Sequence, residues 1–166
     1  MLFEELGRVL YDGSFVENEV GDDRERLLAA YALEAVGIGS RAVEMATAYA
    51  SEREQFGKKI GAYQAVSHPV VDAYIAVELG RSLAYWAAWC VAEEDAQTAL
   101  ACAAAKAAAT EAAVRACETS IQVHGGIGFT WEHPLHRYYK RALGLEAALG
   151  HGREHRVEIA RCLLSS

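Results

Sequence analysis

The stretch ALACAAAKAAATEAAVRACETS, residues 99–120, limits the fold more than any other part of the chain. It is a nearly unbroken run of helix formers, led by alanine, the residue that costs a helix least. Small side chains also let neighbouring helices approach closely, so the run reads as a close-packed bundle element. Lys106, Thr110, Glu111 and Arg115 interrupt it, leaving it short of the roughly 18–20 apolar residues that a membrane span needs. Two more long helical patterns precede it. One starts at an N-cap, Asp22 or Asp23, and carries Leu27, Leu28, Tyr31, Leu33, Val36, Ile38, Val43 and Met45 to about Ser51. The next runs from about Gln64 to Glu93, with Pro69 in its early turns, where a missing N–H does least harm. Its apolar face includes Val66, Val70, Tyr74, Val77, Leu83, Tyr85 and Trp86. The alanine-rich helix itself covers about Asp95 to Val123, and shorter helices follow over about 134–148 and 153–164. Helices of nearly thirty residues are about 40–45 Å long. Joined by short loops, they must pack antiparallel. The sequence therefore predicts an all-α, up-and-down antiparallel four-helix bundle over residues 22–166.

Residues 1–21 read differently. GRVLYDGSFVENEVG alternates apolar and polar residues around a DG turn signal, which predicts strand–turn–strand. Two short strands alone are marginal, so this β-hairpin reads as the edge of a sheet completed elsewhere.

The 166 residues suit one domain, and an apolar content of 52% supports a core. A net charge of −7 without a basic stripe argues against a nucleic-acid partner. Cys90, Cys102, Cys117 and Cys162 show no CxxC spacing and read as small apolar residues in a reducing compartment. MLFEELGRVL lacks the apolar core of a signal peptide. A cytoplasmic protein without a membrane partner is the expectation.

Two glycine-bearing segments hold most of the chemical interest. In SEREQFGKKIGAYQAVSH (51–68) a helix gives way to a turn. Arg53 suits a phosphate and Phe56 offers a flat apolar face, a pairing apt for an anionic, ring-bearing ligand. The plainer reading is a helix end where Arg53, Lys58 and Lys59 complement the dipole and Phe56 plugs the core. In QVHGGIGFT (122–130) three glycines follow a long helix. They permit a tight turn, and they also let a backbone approach a ligand or another chain. The pattern is not a GxGxxG opening a helix after a strand. HGREH (151–155) matches H-x-x-E-H formally but contains Gly152. No Glu-x-x-His pair of the ferritin-like kind occurs, so no metal is expected. Tyr85, Trp86 and Trp89 read as core, and Arg137, Lys140 and Arg141 as a solvated helix face.

Together, REQFGKKIGAYQAVSH and QVHGGIGFTWEHPLHRYYKRA resemble the C-terminal helical domain of acyl-CoA dehydrogenases. The first is similar to that family's R-x-x-F-G-x-x-I-x-x-F-Q segment, the second to its Q-x-x-G-G-x-G-F/Y segment followed by an acid, a proline and a basic helix. The likeness runs over roughly residues 8–164. It implies FAD as cofactor, an acyl-CoA substrate, and oxidation in which a carboxylate takes the α-proton and the β-hydrogen leaves as hydride. It implies that Arg53, Gln55 and Phe56 contact the FAD pyrophosphate and adenosine region across a dimer interface. Ile60 and Gln64 would line the adenine side, and Gln122, Gly125 and Gly126 would approach the same cofactor from the partner chain. Residues 1–21 would be the end of the family's middle β-domain.

Two departures follow. The flavin-ring walls and the N-terminal domain of full-length relatives are not in this sequence. The family's usual base lies in Tyr-Glu-Gly-Thr, and the matching stretch is Ala148-Leu149-Gly150-His151. Leu149 accepts no proton. Some relatives carry the base near the start of the first bundle helix. Here Glu25 is the candidate, two residues away from the ungapped position at Leu27. Three readings stay open. The chain is a cofactor-contacting part without a base, in a homo-oligomer or beside an unlike partner subunit. Or it is an active part using Glu25, or a helical assembly module without flavin.

Overall fold

The computed structural model describes residues 1–11 and 15–164. Seven α-helices occur among the described residues: α1 (Leu2–Val9), α2 (Phe15–Val20), α3 (Arg24–Glu52), α4 (Gln64–Ala92), α5 (Thr98–His124), α6 (Leu135–Ala147) and α7 (Gly152–Leu164). Asp23 caps α3, its carboxylate accepting the Arg26 backbone N–H at 3.0 Å. The predicted long helices are present within a few residues of their expected ends.

Helix α5 is the central element and packs on α3, α4, α6 and α7. Ala101, Ala105, Ala109, Ala113 and Ala116 are buried along it with Cys102 and Cys117. These small side chains set the close spacing that the composition foretold. Helices α3 and α5 run in the same direction. At one end the Cys102 thiol donates to the Glu25 carbonyl at 3.4 Å. At the other, the rings of Tyr49 and His124 stack with centroids 4.5 Å apart. Helix α4 returns between them, its first turns beside Gln122. Helices α6 and α7 share the fourth position, divided by a bend at Ala148–His151. No described helix is long and apolar enough to cross a membrane.

The N-terminal strand pair is corrected. Residues 2–9 and 15–20 are helical, and the Asp12-Gly13 turn signal lies outside the described residues. The two-residue alternation yields to a helical period in which Phe3, Leu6, Gly7 and Leu10 face inward. Buried Glu4 seals α1 against α4, pairing with Arg81 and accepting the Tyr85 hydroxyl at 2.9 Å. A Cβ on Gly7 would overlap the Glu34 carbonyl, so α1 crosses α3 in direct backbone contact. The antiparallel pairing among the described residues joins β1 (Glu54–Gln55) to β2 (Lys58–Lys59), between α3 and α4.

Two side-chain expectations also change. Tyr85 and Trp89 are exposed, and of the aromatic trio only Trp86 packs against the core. Arg141 is not on a solvated face: it reaches inward to the buried Glu34 carboxylate with two bonds of 2.6 and 2.8 Å.

Candidate functional site

Both glycine-bearing segments come to the same end of the bundle. Helix α3 delivers Arg53 to that end and α5 delivers Gln122, because the two helices run parallel and finish level with each other.

After α3 the backbone turns extended at Arg53, whose carbonyl accepts the Ile60 N–H at 2.8 Å. Glu54 pairs with Lys59 and Gln55 with Lys58. Phe56 and Gly57 form the tip with φ of 52° and 80°. Positive φ at both central residues is what a two-residue turn of the I′ kind requires. Glycine takes it readily, whereas a phenylalanine there costs roughly 1–2 kcal/mol. Phe56 is nevertheless 93% exposed and so gains little from packing. The core-plug reading of Phe56 is thereby excluded: the hairpin holds an aromatic ring in solvent on a strained backbone. Tyr63 buttresses it, donating its hydroxyl to the Gln55 carbonyl at 3.1 Å and taking the Lys58 ammonium over its ring at 4.1 Å. The Gln55 side chain donates to the Glu54 carbonyl at 2.8 Å. Gln64 opens α4 and is exposed, and Ile60 is half-buried in the short 3-10 turn before it. The exposed Arg53 guanidinium has no hydrogen bond or ion pair among the described residues.

At the end of α5, Gly125 has φ 63° and ψ −134°, a setting that glycine alone takes readily. A 3-10 turn, Gly125–Phe129, follows. Positions where a Cβ would stand on Gly125 and Gly126 face open space. Exposed Gln122 lines a groove of about 440 Å³ with Ala65, Val66, Pro69, Glu118 and Thr119. Sequence reasoning missed Trp131 here and carried Phe129 only as the F/Y position of the family segment. Phe129 and Trp131 are 76% and 78% exposed. Lys140 lies 4.8 Å over the Trp131 ring and His136 meets its edge at 4.6 Å. Nothing in their spacing marks them, because both fall in an aperiodic turn. Buried His124, directly before the glycines, touches Tyr49 on one side and His133 on the other.

Leu149 and Glu25 lie elsewhere. Leu149, φ 57° and 42% exposed, sits in the bend between α6 and α7. Lys106, fully buried on α5, donates to the carbonyls of Glu146 at 3.4 Å and Gly150 at 3.2 Å, and so clamps that bend. Burial pushes its ammonium down to about 8. Half-exposed Glu25 is held near Arg24 at 3.9 Å. Its carbonyl meets Cys102, one helical turn from Lys106 on the same face of α5. The Leu149 bend and Glu25 are therefore neighbours. By helix rise, they stand about 27 and about 35 Å along the bundle from the level of the Tyr49–His124 stack.

These elements have known counterparts. Residues 23–164 match the family model for the acyl-CoA dehydrogenase C-terminal domain. Acyl-CoA dehydrogenase IpdE2 of Mycobacterium tuberculosis is 38% identical over 135 residues, covering 81% of this chain and 40% of that protein. The ChsE4–ChsE5 complex from Mycobacterium tuberculosis superimposes with a TM-score of 0.80 at 35% identity, over 86% of this chain and 38% of that one. An FAD complex of PigA gives 0.75 at 30% identity, over 80% and 34%. The chain spans about two fifths of the length of the IpdE2 relative it matches. With the family model covering most of its residues, the chain belongs to the acyl-CoA dehydrogenase family, as its C-terminal helical domain.

Proposed function

We propose that this bundle supplies the nucleotide-facing part of an FAD-dependent acyl-CoA dehydrogenase-like assembly that desaturates acyl-CoA thioesters at the α,β bond. In this reading Arg53 bonds the FAD pyrophosphate. Gln55 and Phe56 border the adenosine region, and Ile60 and Gln64 line the adenine side. Gln122 donates to and accepts from the same cofactor, and Gly125 and Gly126 leave the room its backbone contact needs. The carrying observation is the placement of an uncommitted guanidinium, a solvent-held aromatic ring and two open glycines at one end of the bundle. A dinucleotide carries the anionic and flat surfaces that match this set. FAD, when bound, supplies the hydride acceptor of the reaction. The chain's own residues bind and orient it.

Leu149 stands at the family's base position and takes no proton, so the α-proton of the substrate is removed by a group outside this bundle. A second reading has one observation in its favour. Glu25 lies one turn of α5 from the Leu149 bend, which suits it to replace the missing carboxylate. Val71, Tyr74, Ile75 and Leu79 are exposed on α4, an apolar surface that supports a homo-oligomer or an unlike partner subunit.

The test is FAD titration of the protein in its natural assembly. A charge-assisted phosphate bond is worth about 1.5–3 kcal/mol, so Arg53→Ala should weaken FAD by roughly 10- to 150-fold. Unchanged affinity removes Arg53 from the cofactor site. Turnover abolished by Glu25→Gln in that assembly selects the second reading.

A further inference from the structure

The two cofactor-facing segments belong to different helices, and no direct hydrogen bond ties the hairpin to the glycine turn among the described residues. Besides the packing of α5 on α3 and α4, a stack of three rings bridges them. Tyr49 belongs to the last turn of α3, and its carbonyl accepts the Arg53 N–H at 2.9 Å. His124 ends α5, two residues past Gln122 and directly before Gly125. Their centroids lie 4.5 Å apart with planes 29° from parallel. On its far side His124 meets His133 at 4.4 Å and 51°. The His124 imidazole is only 6% exposed, and its Nδ1 lies 2.7 Å from the Ser120 carbonyl, which fixes the ring plane. His133 is fixed in turn, since its Nδ1 accepts the Leu135 N–H at 3.3 Å. That bond requires an unprotonated Nδ1. Burial and the neighbouring His124 and His136 hold His133 below the ordinary imidazole range, so its ring is uncharged at neutral pH.

We infer that His124 is a positioning residue, a ring strut that sets the spacing between the Arg53–Phe56 hairpin and the Gln122–Gly126 turn, and so the affinity for a dinucleotide held by both. The inference rests on the cofactor reading above. A buried imidazole is a costly way to fill space, because its polar atoms lose water. Its value here is geometric. The ring is flat enough to contact Tyr49 and His133 at once, and offset aromatic contacts of this kind fix centroid separation. Loss of the ring leaves Tyr49 without its partner one turn before Arg53. The spacing of the two halves is then less firmly set, and a ligand touching both must fix it on binding.

Three proteins decide it: wild type, His124→Ala and His124→Phe, with Ile38→Val as a control in the middle of the core. FAD is titrated into each full-length protein in its natural assembly, at a temperature well below every Tm. The expected result is a loss of about tenfold in FAD affinity for His124→Ala, with His124→Phe within twofold of wild type and Ile38→Val unchanged. Wild-type affinity in His124→Ala overturns the inference, as does an equal loss in the alanine and phenylalanine variants. In parallel, amide NMR shifts of Gly57 and Ile60 are compared without FAD. They should move in His124→Ala and return in His124→Phe. If they do so while even wild type fails to bind FAD, the strut stands and the cofactor reading falls. If they do not move, the strut falls whatever FAD does.

Discussion

Lys106 offers the sharpest test of how the bundle is held together. It is fully buried, and its ammonium donates to the Glu146 and Gly150 carbonyls. Burial lowers its pKa from the ordinary 10.5 to about 8. In the window between those values the unfolded chain binds a proton that the folded chain has released. Stability supplied by this residue therefore rises as pH increases from about 8 to 10.5, by about 1.4 kcal/mol per pH unit and about 3 kcal/mol in all. Lys106→Met removes the titration and keeps the side-chain volume. At pH 7 the variant sheds the cost of the buried charge but leaves two carbonyls unpaired, at about 1–1.5 kcal/mol each, so it should fall within about 1 kcal/mol of wild type. By pH 10 wild type should have gained about 2.5–3 kcal/mol on it. The thiols of Cys102 and Cys117 and the Tyr31 hydroxyl, all pushed up to about 12, destabilise the fold at alkaline pH. They do so equally in both proteins and cancel in the difference. Urea unfolding followed by far-UV circular dichroism at pH 7, 8, 9 and 10 measures it. A difference that stays constant within 0.5 kcal/mol across that range would refute the assignment of Lys106 as a buried, proton-releasing clamp.

Phe56→Gly should raise stability by roughly 1 kcal/mol, since it relieves the positive φ, while weakening FAD; Tm and FAD titration should move in opposite directions. Arg141→Met strips the partner from buried Glu34 and should cost about 3–5 kcal/mol in urea unfolding, against the near-zero effect of a solvated arginine. Asp23→Ala removes the α3 cap and should cost about 1 kcal/mol, with Asp22→Ala within 0.5 kcal/mol of wild type.

The bundle was legible because its signals are local and repeated. Leu28, Tyr31 and Ile38 recur at helical spacing and are buried, and Gly125 falls where α5 ends. The N-terminal segment was not. A two-residue alternation over so few positions cannot outweigh the long-range pairing of Glu4 with Arg81 and the contact of Gly7 with α3, and neither is visible along the chain. Arg141 was misjudged for the same reason: its partner Glu34 is 107 residues away. At the site, Arg53 and the glycines could be picked out by residue type. The strained conformation at Phe56, the exposure of Trp131 and the role of His124 depend on φ angles and ring contacts that residue types do not encode.

The division of the fourth helix position into α6 and α7 has an evolutionary corollary. Its bend is anchored through main-chain carbonyls gripped by Lys106, and no part of that grip involves the side chain at 149. A glutamate could be exchanged for leucine there without disturbing either the anchor or the remote glycine-bearing end. On the proposed function, a subunit without its base could thus arise from an active one in a single step and still assemble beside it.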